Sequence, residues 1–130
     1  MFTINVCKSI GQKVIFDKIE SSDASIIVNQ QTFGKDALLI YIDFTQVNGA
    51  TLSIKTKIKE KSIPNNKSYY LLKQIGSMVS INDLQLKESL AGVIPIGLSE
   101  NIDSIDIEFE IIGDTTSTVE VYLTPVTKYV

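Results

Sequence analysis

The sequence predicts an all-β fold, an antiparallel β-sandwich of jelly-roll type with about eight strands, in one domain spanning residues 1–130. Three observations carry this expectation. Apolar residues recur with period two almost throughout, and no long segment shows an apolar stripe at helical spacing. Turn signals rich in Gly, Pro, Asn, Asp and Ser return at intervals of about ten residues. In the best-defined runs one face is apolar and the other polar, as in a sheet packed on one side and wet on the other.

Residues 2–7 alternate, and the stretch 1–10 suits either a first strand or an extended N-terminal arm; Gly11 interrupts it. Residues 13–20 (KVIFDKIE) read as a strand and 21–23 as a turn. Residues 25–29 (SIIVN) have a continuous apolar centre, a pattern that fits a strand buried on both faces. Residues 30–36, with Gly34, read as a loop.

Residues 38–60 form the strongest local pattern, two alternating runs around Asn48-Gly49, which signals a β-hairpin. Leu38, Ile40, Ile42 and Phe44 share one face; Leu52, Ile54 and Ile58 share another, with Lys55, Lys57 and Lys59 opposite. A two-residue turn would set Ile42 beside Lys55 and Ile40 beside Lys57. Shifting the register by one exchanges the faces. The predicted hairpin therefore has a three-residue loop, Val47-Asn48-Gly49, with a bulge at Gly49 and Phe44 opposite Leu52.

Residues 61–67 (KSIPNNK) read as a loop, 68–75 as a strand ended by Gly76, and 78–88 as short strand pieces around a corner at Asn82-Asp83, with room for one helical turn. Pro95 demotes the run 89–97 to an edge strand or a strand end. Residues 103–112 (DSIDIEFEII) put Ile105, Ile107, Phe109 and Ile111 on one face and Asp106, Glu108 and Glu110 on the other. After a turn at 113–117, Val119, Val121 and Leu123 point inward, Glu120 and Tyr122 outward, and Pro125 closes the strand.

Composition narrows function more by exclusion. With 21% charged and 44% apolar residues the chain is globular. No apolar run approaches the length of a membrane span, and the first residues, MFTINVCKSIGQK, lack the pattern of a signal peptide, so no membrane partner is expected. All 12 basic residues are lysines and the net charge is −3, which disfavours nucleic acid as a partner. Histidine is absent, which rules out Ser-His-Asp and Cys-His catalysis, and no phosphate loop or nucleophile elbow is present. Cys7 stands alone and reads as a small buried hydrophobe. No enzymatic activity, cofactor or metal is expected. Asp103, Asp106 and Asp114 lack the spacing of a calcium loop.

The rows Lys55/Lys57/Lys59 and Asp106/Glu108/Glu110 have equal spacing and opposite charge. They are candidate contacts, either across neighbouring strands of one chain or between subunits; a solvated face is the plainer alternative. Tyr69 and Tyr70 are candidates for a glycan-stacking platform, the feature a carbohydrate-binding or receptor-binding module would need; Tyr41, Tyr122 and Tyr129 are further candidates.

From about residue 36 to 126 the order of features resembles small phage virion proteins of the capsid decoration or capsid-stabilising kind. The resemblance lies in Asn48-Gly49-Ala50-Thr51-Leu52-Ser53-Ile54, a turn entering a strand, and in a final hairpin formed by 105–112 and 118–124. Such proteins often carry a tyrosine and arginines on the second-last strand, where this chain has acids. The resemblance implies a non-enzymatic auxiliary subunit of a virion. Its partners would be other capsid or virion proteins and copies of itself.

Overall fold

A computed structural model of the chain describes residues 2–10, 13–21, 25–32, 34–60, 69–81, 83–98 and 102–127. The expected loop at 61–67, the corner residue Asn82, Tyr129 and the side chain of Cys7 lie outside the described residues. Eight strands run seven residues or longer: β1 (Phe2–Ile10), β2 (Lys13–Ser21), β3 (Ser25–Gln31), β4 (Ala37–Thr45), β5 (Thr51–Glu60), β10 (Leu90–Gly97), β11 (Ile102–Ile112) and β12 (Thr118–Val126). Between β5 and β10 lie four short ones: β6 (Tyr69–Tyr70), β7 (Leu72–Ile75), β8 (Met78–Ile81) and β9 (Asp83–Leu86). No helix occurs among the described residues.

The strands form two five-stranded sheets, β10-β4-β12-β1-β2 and β3-β11-β5-β6, the second with β9 also on β5; β7 and β8 make a separate hairpin. Pairing is antiparallel apart from β1 with β12, which run parallel. As Pro95 suggests, β10 lies at the edge of its sheet among the described residues, and the proline sits opposite Leu39 on β4. Both sheets feed one core. Leu38, Ile40 and Phe44 of β4, with Val121 and Leu123 of β12, meet Leu52 and Ile54 of β5 and Ile105, Ile107 and Phe109 of β11. Period-two alternation buries one row per strand. Each such side chain removed from water contributes about 1.5–3 kcal/mol.

Two expectations change here. The runs 38–45 and 51–60 do not form a hairpin: β4 pairs with β10 and β12, whereas β5 pairs with β11, β6 and β9. The chain turns instead from one sheet into the other. The same holds for 105–112 and 118–124, since β11 and β12 lie in different sheets. The physical reason lies in where the apolar rows can find cover. In a hairpin they lie side by side and need a further layer. In a turn between sheets they face each other across the core and cover one another. The lysine row of β5 then never meets β4, so nothing forces the bulged loop. Asn48 (φ 51°) and Gly49 (φ 71°) are both left-handed, and the Ala50 N–H donates to the Val47 carbonyl at 3.2 Å. That is a two-residue turn of type I′.

Residues 25–29 also differ from expectation. Ile26 and Val28 are buried but Ile27 is 59% exposed, because β3 has only one covered face.

Three crossings between the sheets lie at one end of the molecule, at 46–50, 87–89 and 113–117, and hydrogen bonds lash them together. The Val47 N–H donates to Ser117 Oγ at 2.9 Å, and Asn48 Nδ2 donates to Asp114 Oδ2 at 2.6 Å. The Gln46 backbone N–H donates to Ser89 Oγ at 2.8 Å, and its side-chain amide to the Ala50 and Lys87 carbonyls at 2.8 and 2.6 Å. At the opposite end Thr32 N–H donates to the Asp103 carbonyl, Asp36 N–H to that of Val126 and Leu98 N–H to that of Asp36.

Gly113 (φ 113°) sits against the first crossing, and a Cβ there would lie 3.2 Å from the Ala50 Cα. A Cβ on Gly49 would meet open space. Gly49→Ala should therefore cost about 1 kcal/mol from its left-handed backbone alone, and Gly113→Ala about 2–3 kcal/mol. Urea melts of the two variants check the order.

The Asp114 carboxyl accepts from the Thr116 hydroxyl and N–H and from Asn48, which hold it below its ordinary value of 3.8. A lowered folded value adds stability above the unfolded value, lost as pH falls through the folded one. Asp114→Asn should thus melt with a weaker dependence on pH below about 4 than the parent chain.

Candidate functional site

The outward faces of the two sheets differ. On the second sheet the antiparallel register sets Asp106 opposite Lys57 and Glu108 opposite Lys55. The two charged rows thus lie on neighbouring strands of the same chain. Their ends do not meet: Lys59 faces Ser104, and Glu110 faces Ser53.

The matched pairs sit in longer polar rows. Asn29 Nδ2 on β3 donates to Asp106 Oδ1 at 2.7 Å, and Gln31 Nε2 donates to Asn29 Oδ1 at 3.1 Å. On the other side of Lys57 stands Tyr70, with the ammonium 4.4 Å from the ring centroid. The hydrogen bond with Tyr70 holds the Lys57 ammonium above its ordinary value of 10.5; desolvation pulls the other way, and electrostatic attraction from Tyr70, Glu108 and Asp106 adds weaker support. In the next row Lys55 lies between Glu108 and Asp83, and Asp83 accepts from Ser53 Oγ at 2.6 Å. Charges alternate across the strands, so much of this face is neutralised internally.

Tyr69 and Tyr70 occupy the two-residue strand β6, and adjacent strand residues point to opposite faces. Tyr69 is 39% exposed, whereas Tyr70 is half-buried with its ring taken by Lys57. The pair does not make one stacking surface.

Such a surface lies on the first sheet. Tyr41 on β4 stands opposite Val93 on β10 and Tyr122 on β12, three outward residues in one row across three strands. They are 43%, 50% and 45% exposed. With Gly92, Ala91 and Asp43 they line a shallow trough of about 420 Å³. One step along the strands Asp43 faces Glu120, and Glu120 Oε1 accepts from the Tyr122 hydroxyl at 2.5 Å.

The outward direction of Tyr122 can be read from the alternation of TVEVYLT, and that of Tyr41 from LLIYIDF. Their adjacency cannot, because it depends on β4 pairing with β12, some eighty residues apart in sequence.

Asp103 and Asp114 lie beyond or at the two ends of β11 and Asp106 within it, so the three carboxylates do not converge. Among the described residues no group of three His, Cys, Asp or Glu side chains could hold a metal ion. Compared with protein-family models, curated proteins and solved structures, the chain gives no match.

The pairing on the second sheet yields a direct test. Lys57→Glu places a third acid directly opposite Asp106 and diagonal to Glu108 and should lower the melting temperature more than Lys59→Glu, which faces Ser104. Raising the salt to about 1 M should narrow the gap; equal melting points at low salt would remove the pairing from the account.

Proposed function

We propose that the chain is a non-enzymatic jelly-roll subunit of a phage virion, an auxiliary, decorating or stabilising protein that works through contacts with capsid proteins and with copies of itself. The observation that carries this reading is the order in which the chain crosses between sheets. Taken in sequence, β2, β4, β10 and β12 belong to one sheet, and β3, β5, β9 and β11 to the other. Successive strands alternate sheets, apart from the step from β5 to β9, and β12 lies between β4 and the N-terminal strands. This order supports reading the fold as two Greek keys wrapped on each other, an architecture used by viral capsid and lectin domains. The inserted β1, between β12 and β2, is an addition to that scheme.

A fold of this kind hosts many functions, so the site decides. The sequence lacks histidine, and on β11 Asp106 accepts from Asn29 and stands opposite Lys57, while Glu108 stands opposite Lys55. What the molecule offers is surface: a charge-matched face on one sheet, and on the other an edge strand, β10, with Leu90 and Val93 exposed. Such an edge suits lateral contact with a neighbouring subunit.

Mass spectrometry of purified phage particles from the source of the sequence provides the test. The chain should be present in many copies per particle and should be removed only with loss of particle stability to heat. Particles that contain their full set of abundant capsid proteins but lack this chain would overturn the proposal.

A further inference from the structure

We infer that the trough on the outer face of the first sheet binds a neutral saccharide. The site is distinct from the charged face of the second sheet and does not depend on the virion reading. Tyr41 and Tyr122 are directly opposite one another on neighbouring strands, which lie about 4.8 Å apart, so two exposed aromatic side chains form a continuous strip. Ala91, opposite Asp43 in the adjoining strand, has only a methyl side chain, and with the Gly92 backbone it borders open space beside that strip. The volume of about 420 Å³ falls within the range of small-molecule sites.

The polar groups beside the strip narrow the ligand class. Asp43 and Glu120 face each other directly, an arrangement of like charges that is unfavourable within a sheet. The second sheet sets lysines opposite its acids, whereas here Asp43 stands between Ala91 and Glu120. Ionised carboxylates are acceptors only, so they complement a ligand rich in hydroxyl donors. The Tyr122 hydroxyl already donates to Glu120, which fixes that carboxylate beside the aromatic strip. Among the described residues no lysine lines the trough, and Asp43 in its lining, with Glu120 beside it, repels an anion. An aromatic strip flanked by hydrogen-bond acceptors, with no cation, fits the apolar ring face and outward hydroxyls of an uncharged sugar. It does not fit phosphate, sialic acid or a uronic acid.

Titration of the full chain with linear neutral hexasaccharides of glucose, galactose, mannose, xylose and N-acetylglucosamine tests this, with oligogalacturonate as the anionic arm. Tyrosine fluorescence can report binding, since the chain has no tryptophan. At least one neutral hexasaccharide should bind saturably and oligogalacturonate should not. Tyr41→Ala and Tyr122→Ala should each weaken binding about tenfold or more, by analogy with the loss of one aromatic stacking partner. Tyr41→Phe, which keeps the ring, should bind as the parent does, and so should Tyr70→Ala on the other sheet. Circular dichroism establishes that the exposed-site variants remain folded. Saturation by none of the neutral sugars, preference for the anionic one, or binding unchanged in both alanine variants would overturn the inference.

Discussion

The structure depends on the lashing of three sheet-to-sheet crossings at one end of the molecule. A single turn between sheets constrains little: it carries the chain over but leaves the two layers free to slide. Here Gln46, Val47 and Asn48 reach into both neighbouring crossings, contacting Lys87 and Ser89 on one side and Asp114 and Ser117 on the other. Sliding one sheet along the other would break several of these bonds together. Buried polar groups left without partners are costly, and Ser117 is among the buried residues. The local rigidity of the turn also matters, because Asn48 and Gly49 hold left-handed backbone that few other residue pairs accept.

That arrangement explains which parts of the fold are legible in the sequence. Alternation states which side chains of a strand face the core, and the inward rows of β4, β5, β11 and β12 are buried as it implies. It is silent on which strand lies alongside. The run around Asn48-Gly49 reads as a hairpin because the local signal for a tight turn is the same whether the chain stays in its sheet or leaves it. The distinction is made by non-local partners, β10 and β12 for one run and β11 for the other. Charge is a partial exception. Equal spacing of Lys55/Lys57 and Asp106/Glu108 offers their juxtaposition as one alternative beside a solvated face or a contact between subunits, and the register sets these two pairs opposite each other. The Tyr41–Tyr122 pair has no such sign. Tyrosine is as much at home in a half-buried face as in an open one, and only the sheet order makes the two adjacent.

The two outer faces therefore have different electrostatic characters. One sets unlike groups beside each other, with Asn29 bonded to Asp106, Lys57 opposite Asp106, and Tyr70 against Lys57. The other leaves an apolar strip and two opposed carboxylates exposed to water. A surface that spends its polar capacity internally has little left for a specific partner, whereas an unfilled one retains it.

The parallel pairing of β1 with β12 has a kinetic consequence. The two strands come from opposite ends of the sequence, Ile4 lying beside Val119. On a ribosome the first strand emerges long before its partner exists, and β2, which depends on β1 for its place in the sheet, waits with it. Closing a loop of that length carries an entropic cost that must be met before the contact repays it, so topologies of this kind assemble slowly. The middle of the first sheet is then the last part to be built, and until the final strand arrives β4 presents to solvent the edge that β12 will occupy.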